Sequence, residues 1–103
     1  GTAGTQTISN ISGESLNILQ FSGAAAKTLN GSSLSGNQLS VLGTSGTVTN
    51  SITGTLMLAN ITSISMTVAS GATFIQGAGT LTTTGGTFTN DGTVENNGTI
   101  TVN

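Results

Sequence analysis

The sequence predicts an all-β chain and, within that class, a short β-solenoid. Three observations carry the prediction. Thr, Ser, Asn and Gly supply 60 of the 103 residues, and Pro and Cys are absent. No segment of ten or more residues places its apolar side chains at helical spacing. The closing stretch GTFTNDGTVENNGTITVN, Gly86 to Asn103, repeats Gly-Thr-apolar at six-residue intervals, as Gly86-Thr87-Phe88, Gly92-Thr93-Val94 and Gly98-Thr99-Ile100. A β-sandwich with an exchanged terminal strand is the alternative all-β arrangement.

The elements follow in chain order. Thr5 to Ile11 reads as a terminal strand carrying Ile8 and Ile11. Leu16-Asn17-Ile18 alternates as a half-buried strand does. In FSGAAAKTL, Phe21 to Leu29, three Ala and the single Lys permit one helical turn. Leu29, Leu34 and Leu39 stand five apart, with Gly31 and Gly36 two residues after the first two. Leu56-Met57-Leu58 alternates, and Ile64-Ser65-Met66-Thr67-Val68 is the strongest strand pattern in the chain. Phe74, Leu81 and Phe88 then stand seven apart, and Phe88, Val94 and Ile100 six apart. The recurring theme is one apolar residue, a few polar ones and a small turn residue, which is the signature of a repeat architecture.

Parity decides between two readings of the last stretch. Asp91-Gly92 and Asn97-Gly98 are hairpin signals. A two-residue loop at Asp91-Gly92 would pair Thr89 with Val94 and Phe88 with Glu95. Opposed residues share a face, so Phe88 and Val94 would point to opposite sides of a meander. In a solenoid each six-residue unit is one side, its apolar residue inward and its Gly or Asn at the corner. Residues 86–103 then make one triangular coil of 18 residues, with Phe88, Val94 and Ile100 buried and Thr87, Thr93 and Thr99 more exposed.

Length allows one domain, 1–103, with a modest core, and no composition shift divides it. Only Glu14, Lys27, Asp91 and Glu95 ionise, for a net charge of -2. Ordinary surfaces carry roughly a quarter charged residues, which keep copies apart. A strand-rich chain without Lys or Pro guards on its edges is built to pair. Self-association is therefore the expected behaviour, with the chain ends as contact: Ile8 and Ile11 at one, Ile100 and Val102 at the other. No apolar run approaches the roughly 20 residues of a membrane-spanning helix. A chain starting at Gly1 rather than Met reads as a processed, exported form.

Chemistry has little to work with. The chain has no His, Cys, Tyr, Trp or Arg, so His-based catalytic pairs and thiolate metal sites are absent from its vocabulary. Glycoside hydrolysis needs two placed carboxylates, and Asp91 and Glu95 fall in a turn region. Asn90, Asp91, Glu95 and Asn96 offer oxygen atoms to a cation, but only one turn carries Asp, so a solvated turn is the reading adopted. Lys27 could join an Asn through a neighbouring carboxylate, yet no spacing selects a pair, and a snorkelling surface Lys is expected. Four N-x-[ST] triplets, at Asn10, Asn30, Asn60 and Asn97, are possible glycosylation acceptors. Ten Asn among 34 Ser and Thr in 103 residues produce about that number by chance. Thr47-Val48-Thr49, Thr80-Leu81-Thr82 and Thr87-Phe88-Thr89 have the form of an ice-binding ladder, at irregular separations. One Lys cannot neutralise a phosphate backbone, so nucleic acid is not an expected partner.

SGATFIQGAGTLTTTGGTFTNDGTVENNGTITVN, Ser70 to Asn103, resembles the passenger regions of secreted bacterial β-helix adhesins, such as autotransporters and filamentous haemagglutinin-like proteins. The resemblance covers about a third of the chain and is one of composition and spacing. It implies an extracellular, structural or adhesive role. The expectation is an extracellular subunit that assembles with copies of itself into a fibre or surface appendage, supporting adhesion or biofilm. It is not expected to be an enzyme or to carry a cofactor, and surface glycans are a further expected partner. A monomeric carbohydrate- or ice-binding solenoid is the alternative.

Overall fold

The structure, a computed structural model, describes residues 6–11, 14–59 and 64–103. It contains the strands β1 (Gln6–Ile11), β2 (Glu14–Phe21), β3 (Lys27–Gly31), β4 (Leu34–Val41), β5 (Val48–Ile52), β6 (Thr55–Ala59), β7 (Ile64–Val68), β8 (Thr73–Gln76), β9 (Thr80–Thr84), β10 (Thr87–Asn90), β11 (Thr93–Asn96) and β12 (Thr99–Val102). No helix occurs among the described residues.

Every strand pairing is parallel and joins one coil to the next. The chain is a β-solenoid of about four turns, neither a meander nor a sandwich. Its first side is the sheet β1-β3-β5-β8-β11. The second and third sides begin as one long strand per coil, β2 and then β4. The first half of β4 carries β6 and its second half carries β7. Strands β9 and β12 continue the second side, and β10 continues the third. Leu34 and Leu39 of β4 are both buried, five positions apart, so its in–out alternation slips once between them. That slip bends β4 from the second side to the third.

The inner space is filled by columns of stacked side chains. Val48, Phe74 and Val94 form one on the first side. Leu34, Leu56, Leu81 and Ile100 form one on the second. Leu19, Leu39, Met66 and Phe88 form one on the third. The middle members are almost fully shielded from solvent. Stacking in a column removes apolar area from water in every coil, which is what holds such a repeat together.

The corners obey the same logic. Backbone bonds continue between coils through them, as from Thr80 N to Gly54 O at 2.9 Å and from Thr99 N to Gly79 O at 3.1 Å. Glycine is required where coils approach this closely. A Cβ on Gly79 would collide with the carbonyl oxygens of Ile52 and Gly54.

Two local expectations fail. Residues 22–26 form a bend and no helical turn. Gly46 packs against the carbonyls of Ala24 and Ala25 and donates its N–H to Gly23 O at 2.9 Å. This contact with the next coil outweighs the helix preference of three Ala, a few tenths of a kcal/mol per residue. The coil is also longer than 18 residues. Leu81 to Ile100 is nineteen positions and Leu39 to Met66 is twenty-seven, because corners lengthen toward the middle of the chain.

Candidate assembly interface

The last coil explains the repeat. In GTFTNDGTVENNGTITVN the three apolar residues fall on three different sides: Phe88 on β10, Val94 on β11 and Ile100 on β12. Asn90 and Asn96 close the corners. Each side-chain Oδ1 accepts the backbone N–H two residues on, from Gly92 and from Gly98, both at 3.0 Å. These are Asx turns. The Gly that follows lets the corner lie directly on the one beneath. Thr87, Thr93 and Thr99 face solvent.

This coil is paired on one edge only. Strand β10 bonds β7, β11 bonds β8 and β12 bonds β9. Among the described residues nothing pairs with their opposite edges. Phe88, Val94 and Ile100 pack on the core but are half-buried, not fully buried as the spacing predicts. The reason is positional: among the described residues no strand pairs over them. Val102 is 58% exposed beside them. At the other end β1 pairs with β3 and β2 with β4, in registers that set Ile8 against Leu29 and Ile11 against Gly31. The side chains of Ile8, Ile11 and Asn10 lie outside the described part of the structure.

Other predicted positions scatter. Asn30 is exposed on β3. Asn97 is exposed at a corner, its Nδ2 donating to Glu95 Oε2 at 3.1 Å. Asn60 lies outside the described residues. Asp91 and Glu95 are exposed. No group of three or more acidic side chains gathers among the described residues. Asn90 and Asn96, offered as cation ligands by the sequence, spend their oxygens on the corner turns.

Lys27 departs from the expected surface position. It is buried, and its Nζ donates to the carbonyls of Gly23 at 2.8 Å and Ala25 at 2.6 Å. It adds a second donor to Gly23 O, which also accepts from Gly46 N, and supplies a donor to Ala25 O. A second interior polar feature escaped the sequence reading. Asn50 and Gln76 stack in register on the first side, fully buried, and Asn50 Nδ2 donates to Gln76 Oε1 at 2.9 Å. Asn50 Oδ1 also accepts from Ile52 N. The signal was present: Asn50 sits midway between Val48 and Ile52, and Gln76 two residues after Phe74, so strand parity turns both inward.

The three Thr-x-Thr triplets lie on three different sides. One of them, Thr80-Leu81-Thr82, lies directly under Thr99-Ile100-Thr101, with Thr55 below Thr80. This two-coil ladder was missed because nineteen residues separate its members.

Compared with protein-family models, characterised proteins and solved structures, the chain matches none. No helix among the described residues is long and apolar enough to cross a membrane. The chain is thus an all-β solenoid, and of the adhesin resemblance the coil itself is what the structure carries.

Proposed function

We propose that this chain is an extracellular structural subunit that stacks end to end with copies of itself into a fibre or surface appendage, supporting adhesion or biofilm. The observation that carries the reading is the open edge of the last coil, with half-buried Phe88, Val94 and Ile100 along it. Unpaired N–H and C=O groups beside apolar side chains are a template for another strand. Four ionisable residues in 103 provide little repulsion against it. Surface glycans at Asn30 or Asn97 are compatible with this arrangement, since both side chains are exposed.

Sedimentation velocity across a concentration series, with electron micrographs of the same samples, tests the proposal. Growth into filaments is the expected result. A chain that stays monomeric at high concentration in moderate salt overturns it.

One observation favours a second reading, a binding module for an ordered surface such as ice or crystalline carbohydrate. Thr80, Thr82, Thr99 and Thr101 form a small grid on the second side. Its spacing is about 4.8 Å between coils and about 6.7 Å along a strand. Inhibition of ice recrystallisation that is lost on Thr82→Lys would favour this reading over assembly.

A further inference from the structure

The corners at Asp91-Gly92 and Asn97-Gly98 carry the residue pairs most prone to spontaneous backbone chemistry. We propose that Asn97 is a deamidation site held shut by Asn96, whose side-chain oxygen occupies the one backbone nitrogen that could attack it. Asn90 guards Asp91 in the same way. The protection holds whether or not copies assemble.

Asn followed by Gly is labile because Gly has no Cβ to obstruct its own nitrogen. Asn30-Gly31 and Asn97-Gly98 are the two Asn-Gly pairs of the chain, and Asp91-Gly92 is its one Asp-Gly pair. At the second Asn-Gly pair the nitrogen of Gly98 would attack Cγ of Asn97. An N–Cγ bond forms, the Cγ–Nδ2 bond breaks, and ammonia leaves with the proton of the Gly98 N–H. Water then opens the succinimide ring at either carbonyl and leaves aspartate or isoaspartate at position 97. At Asp91 the same attack by Gly92 expels water in place of ammonia.

The structure closes this route at three successive amides. Asn97 N donates to Gln76 O at 2.8 Å, Gly98 N to Asn96 Oδ1 at 3.0 Å and Thr99 N to Gly79 O at 3.1 Å. An N–H engaged with an acceptor gives up its proton less readily, and attack requires it to leave that acceptor first. A Cβ on Gly98 would collide with the carbonyl oxygens of Gly77 and Gly79, so this peptide has little room to rotate. The arrangement recurs one corner earlier. Asp91 N donates to Val68 O at 2.8 Å, Gly92 N to Asn90 Oδ1 at 3.0 Å and Thr93 N to Ala72 O at 2.9 Å. Two corners with different residues at the vulnerable position thus share one guard, an Asn immediately before it.

Loss of the guard would damage the corner. Asn97 Nδ2 donates to Glu95 Oε2 at 3.1 Å. Deamidation replaces that donor with a second carboxylate, and an attraction becomes a like-charge repulsion. Isoaspartate also adds a backbone carbon, for which the close approach of Gly98 to Gly77 and Gly79 leaves little space.

The full chain is incubated at mildly alkaline pH, folded and in denaturant, and tandem mass spectrometry of digests reads Asn97 and Asn30 separately. Deamidation of the unmodified chain at Asn97 should be about tenfold or more slower in the folded state. Asn96→Ala should raise the folded rate at Asn97 by a factor of about 2–10, the weight of one hydrogen bond. Asn96→Asp keeps an oxygen acceptor and should hold the rate near that of the unmodified chain. Asn30 lies within β3, paired with β5, and its rate should not change in either variant. Asn90→Ala should leave Asn97 unaffected and increase isoaspartate at position 91. Equal rates at Asn97 in the folded and denatured unmodified chain overturn the proposal, and that comparison needs no variant. An Asn96→Ala chain that keeps its far-UV circular dichroism and deamidates no faster than the unmodified chain also overturns it. A rise at Asn30 equal to the rise at Asn97 would mean general loosening of the fold and overturns the guard as well.

Discussion

Truncating Phe74 and Val94 separately measures how open the last coil is. The two residues belong to one column, Phe74 above Val48 and Val94 above Phe74. Phe74 is completely buried, so Phe74→Ala removes a ring enclosed on every side, at a cost of about 3–5 kcal/mol. That is a large share of the roughly 5–15 kcal/mol available to an ordinary domain. Val94→Ala removes the equivalent of two methylene groups, worth about 1.6 kcal/mol if fully buried. Val94 is only partly exposed, so Val94→Ala forfeits most of that, about 1–1.5 kcal/mol. Guanidinium unfolding followed by far-UV circular dichroism, at concentrations below assembly, should show the first variant losing at least twice as much as the second. On the assembly proposal, the rest of Val94's burial is gained at the contact between copies. Val94→Ala should then also raise the concentration needed for assembly, by a factor of about 2 for roughly 0.5 kcal/mol. Equal destabilisation by the two variants in the dilute state would refute the premise that the last coil is uncovered.

Three further outcomes follow from the interior. Gly79→Ala should lower the melting temperature by about 5 °C or more, since its Cβ meets two backbone carbonyls that cannot give way and overpacking costs about 1–3 kcal/mol. Lys27→Met should cost about 1–3 kcal/mol in denaturant titration, because the corner carbonyls of Gly23 and Ala25 lose the Nζ donor. Asn50→Leu and Gln76→Leu should each destabilise by about 1–3 kcal/mol, while the double variant regains much of the loss, as a double-mutant cycle would reveal.

The apolar spacings in the sequence turn out to be the lengths of the sides. Leu29, Leu34 and Leu39 lie on the first, second and third sides of one coil. Phe74, Leu81 and Phe88 do the same in a later coil, and Val94 and Ile100 continue the circuit. Intervals of five, six and seven are thus one property seen through corners of different length. The intervening coil hid itself because Val48, Leu56 and Met66 are eight and ten apart, stretched by longer corners. Strand β7 also departs from clean alternation. Ile64 is exposed and Ser65 buried, beside a register irregularity at Thr87 and Phe88. Lys27, Asn50 and Gln76 were hard to place for a different reason. Whether a polar residue faces inward depends on strand parity and on a partner one coil away, and composition reports neither. The candidate interface was legible in part. Ile100 and Val102 were named from the sequence and lie on β12, whereas the partial exposure of Phe88, Val94 and Ile100 needed knowledge of which strands lie over them among the described residues.

The same regularity that makes the coil stackable limits where it can act. A solenoid whose inner columns are filled by Leu, Val, Phe and Met, with polar positions taken up by Lys27 and by the Asn50–Gln76 pair, offers its surroundings flat outer sides and two ends. The flat sides carry mostly Thr and Ser, whose hydroxyls exchange water for a partner at little net gain, about 0.5–1.5 kcal/mol per bond. They need a large, ordered counter-surface to bind tightly. An end needs no such surface. It presents the backbone groups of three short strands together with partly exposed apolar side chains, and on the assembly proposal the object matched to it is another copy. Burial and hydrogen bonding would act there at once, as they do between coils inside the chain. Removing that match while leaving the outer sides intact is the discriminating perturbation. Val102→Lys places a charge on the exposed part of β12 and should abolish fibres while preserving the monomer's fold, since Val102 is mostly in solvent. A Val102→Lys chain that still forms fibres would mean that this edge is not the site of contact.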